Sequence, residues 1–167
     1  MRTLIHLIDR FSDLTGRILS SFAYFLLVVV LYEVVARKIF GRPTVWGFDA
    51  SYILMAAFFL LGFGYTLKHR MHVAIDIFTQ KFRPRLQGAF GIVGYLVFFF
   101  PFVCIGMWIT TKYALQAWNI YELSQSPWSF PVYWFKTLMP ISFLLLFIQG
   151  IAEFLRNVLK LKGEEIG

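Results

Sequence analysis

Of 167 residues, 59% are hydrophobic and 20% aromatic, and only 15% are Asp, Glu, Lys or Arg, against roughly 25% charged in an ordinary soluble domain. This composition excludes a soluble globular domain and places the chain in a lipid bilayer. The net charge of +7 would suit nucleic acid or anionic lipid, but the cations stand in short segments between apolar runs, which selects anionic lipid and no nucleic acid.

The first seventeen residues place Leu4, Ile5, Leu7, Ile8, Phe11 and Leu14 at helical spacing, with Arg2, His6, Asp9, Arg10, Asp13 and Arg17 elsewhere on the wheel. An amphipathic interfacial helix is predicted over 2–16. Its scattered charges and the lack of an A-x-A-like site argue against a cleaved signal peptide. The first span is predicted over 18–38, where residues 18–36 are interrupted only by Glu33. Glu33 precedes Arg37 by four residues, the favourable order for a same-face ion pair, and pairing lowers the cost of burying the acid. Intramembrane acids also mark ion pathways, so a self-contained multidrug-type exporter using Glu33 is the alternative reading.

Residues 50–67 form an uncharged run of 18, and a bilayer core of about 30 Å needs roughly 20 helical residues. This sets a second span over 48–68, with Trp46 and Asp49 at its opening. The stretch "YTLKHRMHVAID", residues 65–76, then gathers Lys68, His69, Arg70, His72 and Asp76. A zinc site would need three or four enclosed ligands; here two histidines have only Asp76 nearby. A transmembrane haem would need histidines facing one another at depth within helices. The simpler reading is a membrane corner: cations cap the helix C-terminus and meet lipid phosphates, and residues 73–82 form a short interfacial segment.

The third span is predicted over 86–112, including 26 uncharged residues, too long to stand upright without tilting or bending at Pro101. Gly88, Gly91 and Gly94 recur every third residue and let another backbone approach, either the second span or a partner protein. The lone cysteine, Cys104, lies within this span, so neither an internal disulfide nor a C-x-x-C redox pair exists. The connection 118–134 carries Trp118, Tyr121, Trp128, Tyr133 and Trp134, the content of an interfacial aromatic belt. The fourth span is predicted over 133–156, if Lys136 snorkels to the headgroups, and closes on a boundary pair of Glu153 and Arg156.

The chain therefore reads as an all-α integral membrane protein, one domain of four transmembrane helices with two interfacial segments. Placing both termini in the cytoplasm puts eleven Lys and Arg residues inside and five outside, as the positive-inside rule requires.

The segment "RKIFGRPTVWGFDASYILMAAFFLLGFGYTLKHRMHVAIDIF", residues 37–78, resembles the signature region of the small membrane subunit of tripartite ATP-independent periplasmic (TRAP) transporters, the DctQ-like family. The features that carry the resemblance are Arg37, Phe40-Gly41, Trp46, Asp49, Arg70, His72-Val73 and Asp76. Residues 126–156, "SPWSFPVYWFKTLMPISFLLLFIQGIAEFLR", resemble the family's final portion. Asp49 stands where many members carry glutamate, and Met71 where many carry glycine. The resemblance implies a non-catalytic subunit of a sodium-driven importer of organic anions in the bacterial inner membrane. It also implies a large membrane subunit that holds the substrate and sodium sites, a periplasmic substrate-binding protein, and no cofactor in this chain. The candidate structural or partner-interface residues are Glu33, Arg37, Trp46, Asp49, Arg70, His72, Asp76, Gly88, Gly91 and Gly94.

Overall fold

In a computed structural model of the chain, residues 2–42, 44–68 and 84–163 are described. The predicted interfacial segment 73–82, with Arg70, His72 and Asp76, lies outside them. The described residues form α1 (Arg2–Lys38), α2 (Gly47–Lys68), α3 (Pro84–Gly94), a π-helical turn (Tyr95–Phe99), α4 (Phe100–Asn119), the short α5 (Val132–Lys136) and α6 (Leu138–Lys162). Among the described residues, four helical stretches are long and apolar enough to cross a membrane: Thr3–Lys38, Gly47–Lys68, Leu86–Asn119 and Val132–Lys162. The protein is an all-α membrane protein.

The predicted amphipathic segment and the first span are one unbroken helix. Among its buried and half-buried positions, Ile5, Ile8, Ser12, Gly16, Leu19, Phe22, Leu26, Val29, Glu33 and Ala36 are spaced three and four apart, so a single seam serves both segments. Nothing in the intervening sequence breaks a helix: residues 2–38 contain no proline, and Gly16 costs only about 1 kcal/mol relative to alanine. α1 stops at Gly41, whose φ of 62° places it in the left-handed region that glycine occupies freely. The Arg42 N–H then donates back to the Ala36 carbonyl at 3.2 Å, satisfying one of the acceptors that a helix end leaves open. The Phe40-Gly41 pair is thus a helix stop.

The third span stays helical to Asn119, seven residues past its predicted end. Its π-helical turn falls immediately before Pro101, where the Phe100 N–H reaches back to the Tyr95 carbonyl. A proline ring has no N–H and crowds the carbonyl four residues earlier; one wide turn makes room for it.

α6 is the central column. The α1–α2 hairpin packs along one side of it and the third span along the other, with little contact between those two halves. Leu67 of α2, Val103 of α4 and Leu146 of α6 form the buried apolar centre, surrounded by Phe63, Phe99, Phe143 and Phe147. α2 and α6 run parallel, as Gly64 beside Leu145 and Tyr52 beside Phe135 require. α1 and the third span run the opposite way. We call the end holding the start of α1, Lys68 and the finish of α6 proximal, and the other end distal.

Candidate functional site

Polar side chains gather at two levels of the fold, one at each end. At the distal end Glu33 is buried in the α1 seam and accepts from Arg37 at 2.9 Å and from the Thr44 N–H at 3.3 Å; the Thr44 hydroxyl donates to the same carboxylate. Thr44 in turn accepts from the Gly47 N–H at 3.1 Å, satisfying one of the donors that a helix start leaves open. The charge on Glu33 therefore holds the start of α2 through one intermediary. Gly47 makes room for this joint: a Cβ there would push against the Glu33 carboxylate and the Thr44 hydroxyl and displace them. Tyr32 and Trp46 stack beside this joint with ring centroids 5.9 Å apart and planes 16° from parallel.

Asp49 is also buried. Its carboxylate accepts from the hydroxyl of Ser126, in the connection between α4 and α5. That connection is folded rather than loose: Leu123 and Pro131 form an antiparallel bridge, the Ser124 N–H donates to Phe130 at 2.7 Å and the Val132 N–H to Glu122 at 3.0 Å. Glu122 accepts from Lys136 at 2.5 Å. Lys136, expected to snorkel to lipid headgroups, is instead buried, with its ammonium 4.0 Å from the Tyr113 ring centroid. A carboxylate and an aromatic face inside the fold replace the headgroup contact, which a sequence reading of α5 alone could not supply.

The proximal cluster binds three helices. Ser12 donates to Gln149 at 2.6 Å, and Gln149 donates to Asp9 at 3.3 Å. Arg156 bridges Asp9 and Glu153, its fork engaging two carboxylates at once. Lys68, from the end of α2, donates to Asp13 at 2.5 Å and to the Asp9 carbonyl at 3.1 Å. Sequence reasoning singled out Lys68, Glu153 and Arg156 but missed Asp9, Ser12, Asp13 and Gln149 as their partners. The available signal was Gln149, the one amide in the apolar run 137–152, together with Asp9 and Asp13 one turn apart.

The glycine stripe has a definite neighbour. A Cβ on Gly88 would lie 2.7 Å from the Asn157 carbonyl and 2.8 Å from the Leu161 nitrogen, and one on Gly91 would lie 2.6 Å from the Asn157 side chain. The neighbour of Gly88 and Gly91 within the chain is therefore α6 and not the second span. Gly94 faces open space, with nothing within 4 Å of its Cβ position.

Among the described residues, no group of three or more His, Cys, Asp or Glu side chains is placed to hold a metal. No buried side-chain N or O atom among them lacks a partner. Between α1 and α2 a lateral cleft of about 730 Å³ opens along residues 16–24 and 58–66; its walls are apolar and aromatic.

These features define a multi-pass helical membrane protein whose described polar clusters join its own helices at two levels. The family model of the DctQ component of tripartite ATP-independent periplasmic transporters matches residues 26–160, and the chain belongs to that family. It is a small membrane component of a TRAP transporter. No curated protein and no solved structure gives a match.

Proposed function

We propose that this chain is a non-catalytic scaffold that braces the large transport subunit of a sodium-coupled importer of organic anions and helps organise its periplasmic binding protein. The observation that carries this reading is the commitment of the polar groups. Glu33, the acid an exporter would need free, is held by Arg37 and Thr44 and spent on the start of α2. Asp9, Gln149, Glu153 and Arg156 are likewise spent on one another. A carrier site needs polar groups that can exchange partners, whereas a brace needs stiff helices and broad apolar faces. Those faces exist: Phe25, Val28 and Leu31 on α1, and Phe98, Phe102 and Ile105 on the third span, are exposed.

The proximal end faces the cytoplasm in this reading, and sodium and substrate bind on the large subunit. The N-terminal segment supports contact with anionic lipid. Leu4, Leu7, Phe11, Leu14 and Ile18 form an exposed apolar stripe, and His6, Arg10 and Arg17 are exposed on another arc of the helix, the pattern of a helix that meets a headgroup region. Reconstitution in proteoliposomes tests the function. Uptake of a carboxylate substrate should require the large subunit, the binding protein, a sodium gradient and this chain together; equal uptake by this chain alone would overturn the scaffold reading.

A further inference from the structure

Contacts within the chain account for the described polar clusters, but not for the lateral cleft between α1 and α2. Small residues leave that cleft open: Ala23 and Gly62 line it, and nothing lies within 4 Å of the position a Cβ on Gly62 would take. Tyr24 and Phe59 stand exposed at its rim. The serine and threonine in its walls, Ser20 and Thr66, donate to carbonyls of their own helices, at Arg17 and Gly62. The cleft therefore offers hydrocarbon surface, in a volume of about 730 Å³ that suits a small apolar ligand.

Its depth says where that ligand comes from. Arg17 is the last charged residue before the uncharged run 18–32, and Lys68, at the end of α2, reaches Asp13 one turn earlier. These charges mark the proximal headgroup level. The cleft starts there and follows residues 16–24 of α1, about 12 Å of helix, so it stays within one leaflet, about 15 Å of hydrocarbon. It opens sideways, in the plane of the acyl chains.

The edge of α1 that borders the opening continues beyond it as a line of cations. Arg10, Arg17 and Tyr24 are spaced seven residues apart, which places them on one edge of the helix, and both arginines are exposed. Cations thus lead from the headgroup region straight to an apolar slot. An anionic phospholipid carries the complementary parts joined in the same order, a phosphate above a hydrocarbon chain. A protein partner would have to bring an acid and an apolar ridge to this depth separately.

We propose that the cleft between α1 and α2 binds one anionic phospholipid of the proximal leaflet, its acyl chain lying between Tyr24 and Phe59 and its phosphate held by Arg10 and Arg17. The site depends on the chain spanning the bilayer and not on the scaffold function.

The test uses this chain with its large subunit in nanodiscs and two photoreactive lipids with identical diazirine-bearing acyl chains, a phosphatidylglycerol and a phosphatidylcholine. Peptide mapping of the adducts should find the phosphatidylglycerol probe on residues 16–24 and 58–66 at least about tenfold above the phosphatidylcholine probe, the scale of two cations near an anionic headgroup. Arg10→Gln with Arg17→Gln should abolish that preference. Gly62→Leu puts a side chain into the open space and should remove the cleft adducts, while adducts elsewhere persist and the large subunit still co-purifies. Equal labelling of the wild-type cleft by the two probes would make it ordinary lipid-facing surface. Labelling of the isolated chain that vanishes when the large subunit is added would assign the cleft to that interface. Either result overturns the proposal, as does a preference for phosphatidylglycerol that survives in both variants.

Discussion

Single residues decide whether neighbouring helices fit. Gly88 and Gly94 make a controlled comparison, since they share a helix but only Gly88 lies against α6. Gly88→Ala forces a Cβ against α6 backbone, which cannot swing aside like a side chain. The expected cost is about 1–3 kcal/mol, read as a lower unfolding midpoint in detergent. Gly94→Ala meets nothing and removes backbone freedom from the unfolded chain, so stability should hold or rise by about 0.4–1 kcal/mol. Glu33→Gln separates the two functional readings. The amide loses the charge that draws Arg37 and Thr44 together, so the melting temperature should fall while sodium-driven uptake by the assembled transporter persists. Complete loss of transport in a normally assembled complex would return Glu33 to the centre of the mechanism.

At the scale of elements, the proximal cluster is a clamp with Arg156 at its middle. Asp9 and Glu153 both lean on this one cation, and all three side chains are 20% exposed or less. Arg156→Ala takes the shared cation from buried Glu153 and half-buried Asp9, so the cost should approach the roughly 3–5 kcal/mol of breaking a fully buried pair. Arg156→Lys should recover only part of it, because an ammonium is a point charge without a fork. Protease digestion after residue 17 checks the location: the Ala variant should release the N-terminal segment sooner than wild type. The spans themselves were legible in the sequence, because apolar length is a property of each segment alone. So was the Glu33–Arg37 pair, which depends only on helical spacing. The partners of Lys68 and Lys136 were not, since Asp13 and Glu122 lie 55 and 14 residues away and only the packing brings them close. The seam of α1 was half visible: its apolar residues were recognised, but which arc would meet protein depends on Gln149 and Tyr65 across the interface.

For the whole molecule, α6 carries the architecture. Its polar residues are placed like rungs: Lys136, just ahead of it, ties the distal hairpin, and Arg156 ties the proximal clamp. At about 1.5 Å per residue these ties stand about 30 Å apart, the thickness of a hydrocarbon core. The exposed apolar faces between them should be covered by the large membrane subunit. Isolation of the tagged chain in mild detergent should therefore retain a larger multi-span protein in stoichiometric amount. Recovery of a homo-oligomer alone would contradict the assembly.

The proximal clamp also sets an order of events during synthesis. Asp9 and Ser12 leave the ribosome well before their partners Arg156 and Gln149, which follow 147 and 137 residues later. Chains are made from the N-terminus onward, so these contacts must wait until the last helix has entered the bilayer. The start of α1 is thus held first by α2, through Lys68 on Asp13, and its ties to α6 close last; a chain truncated before α6 would keep the former and lack the latter.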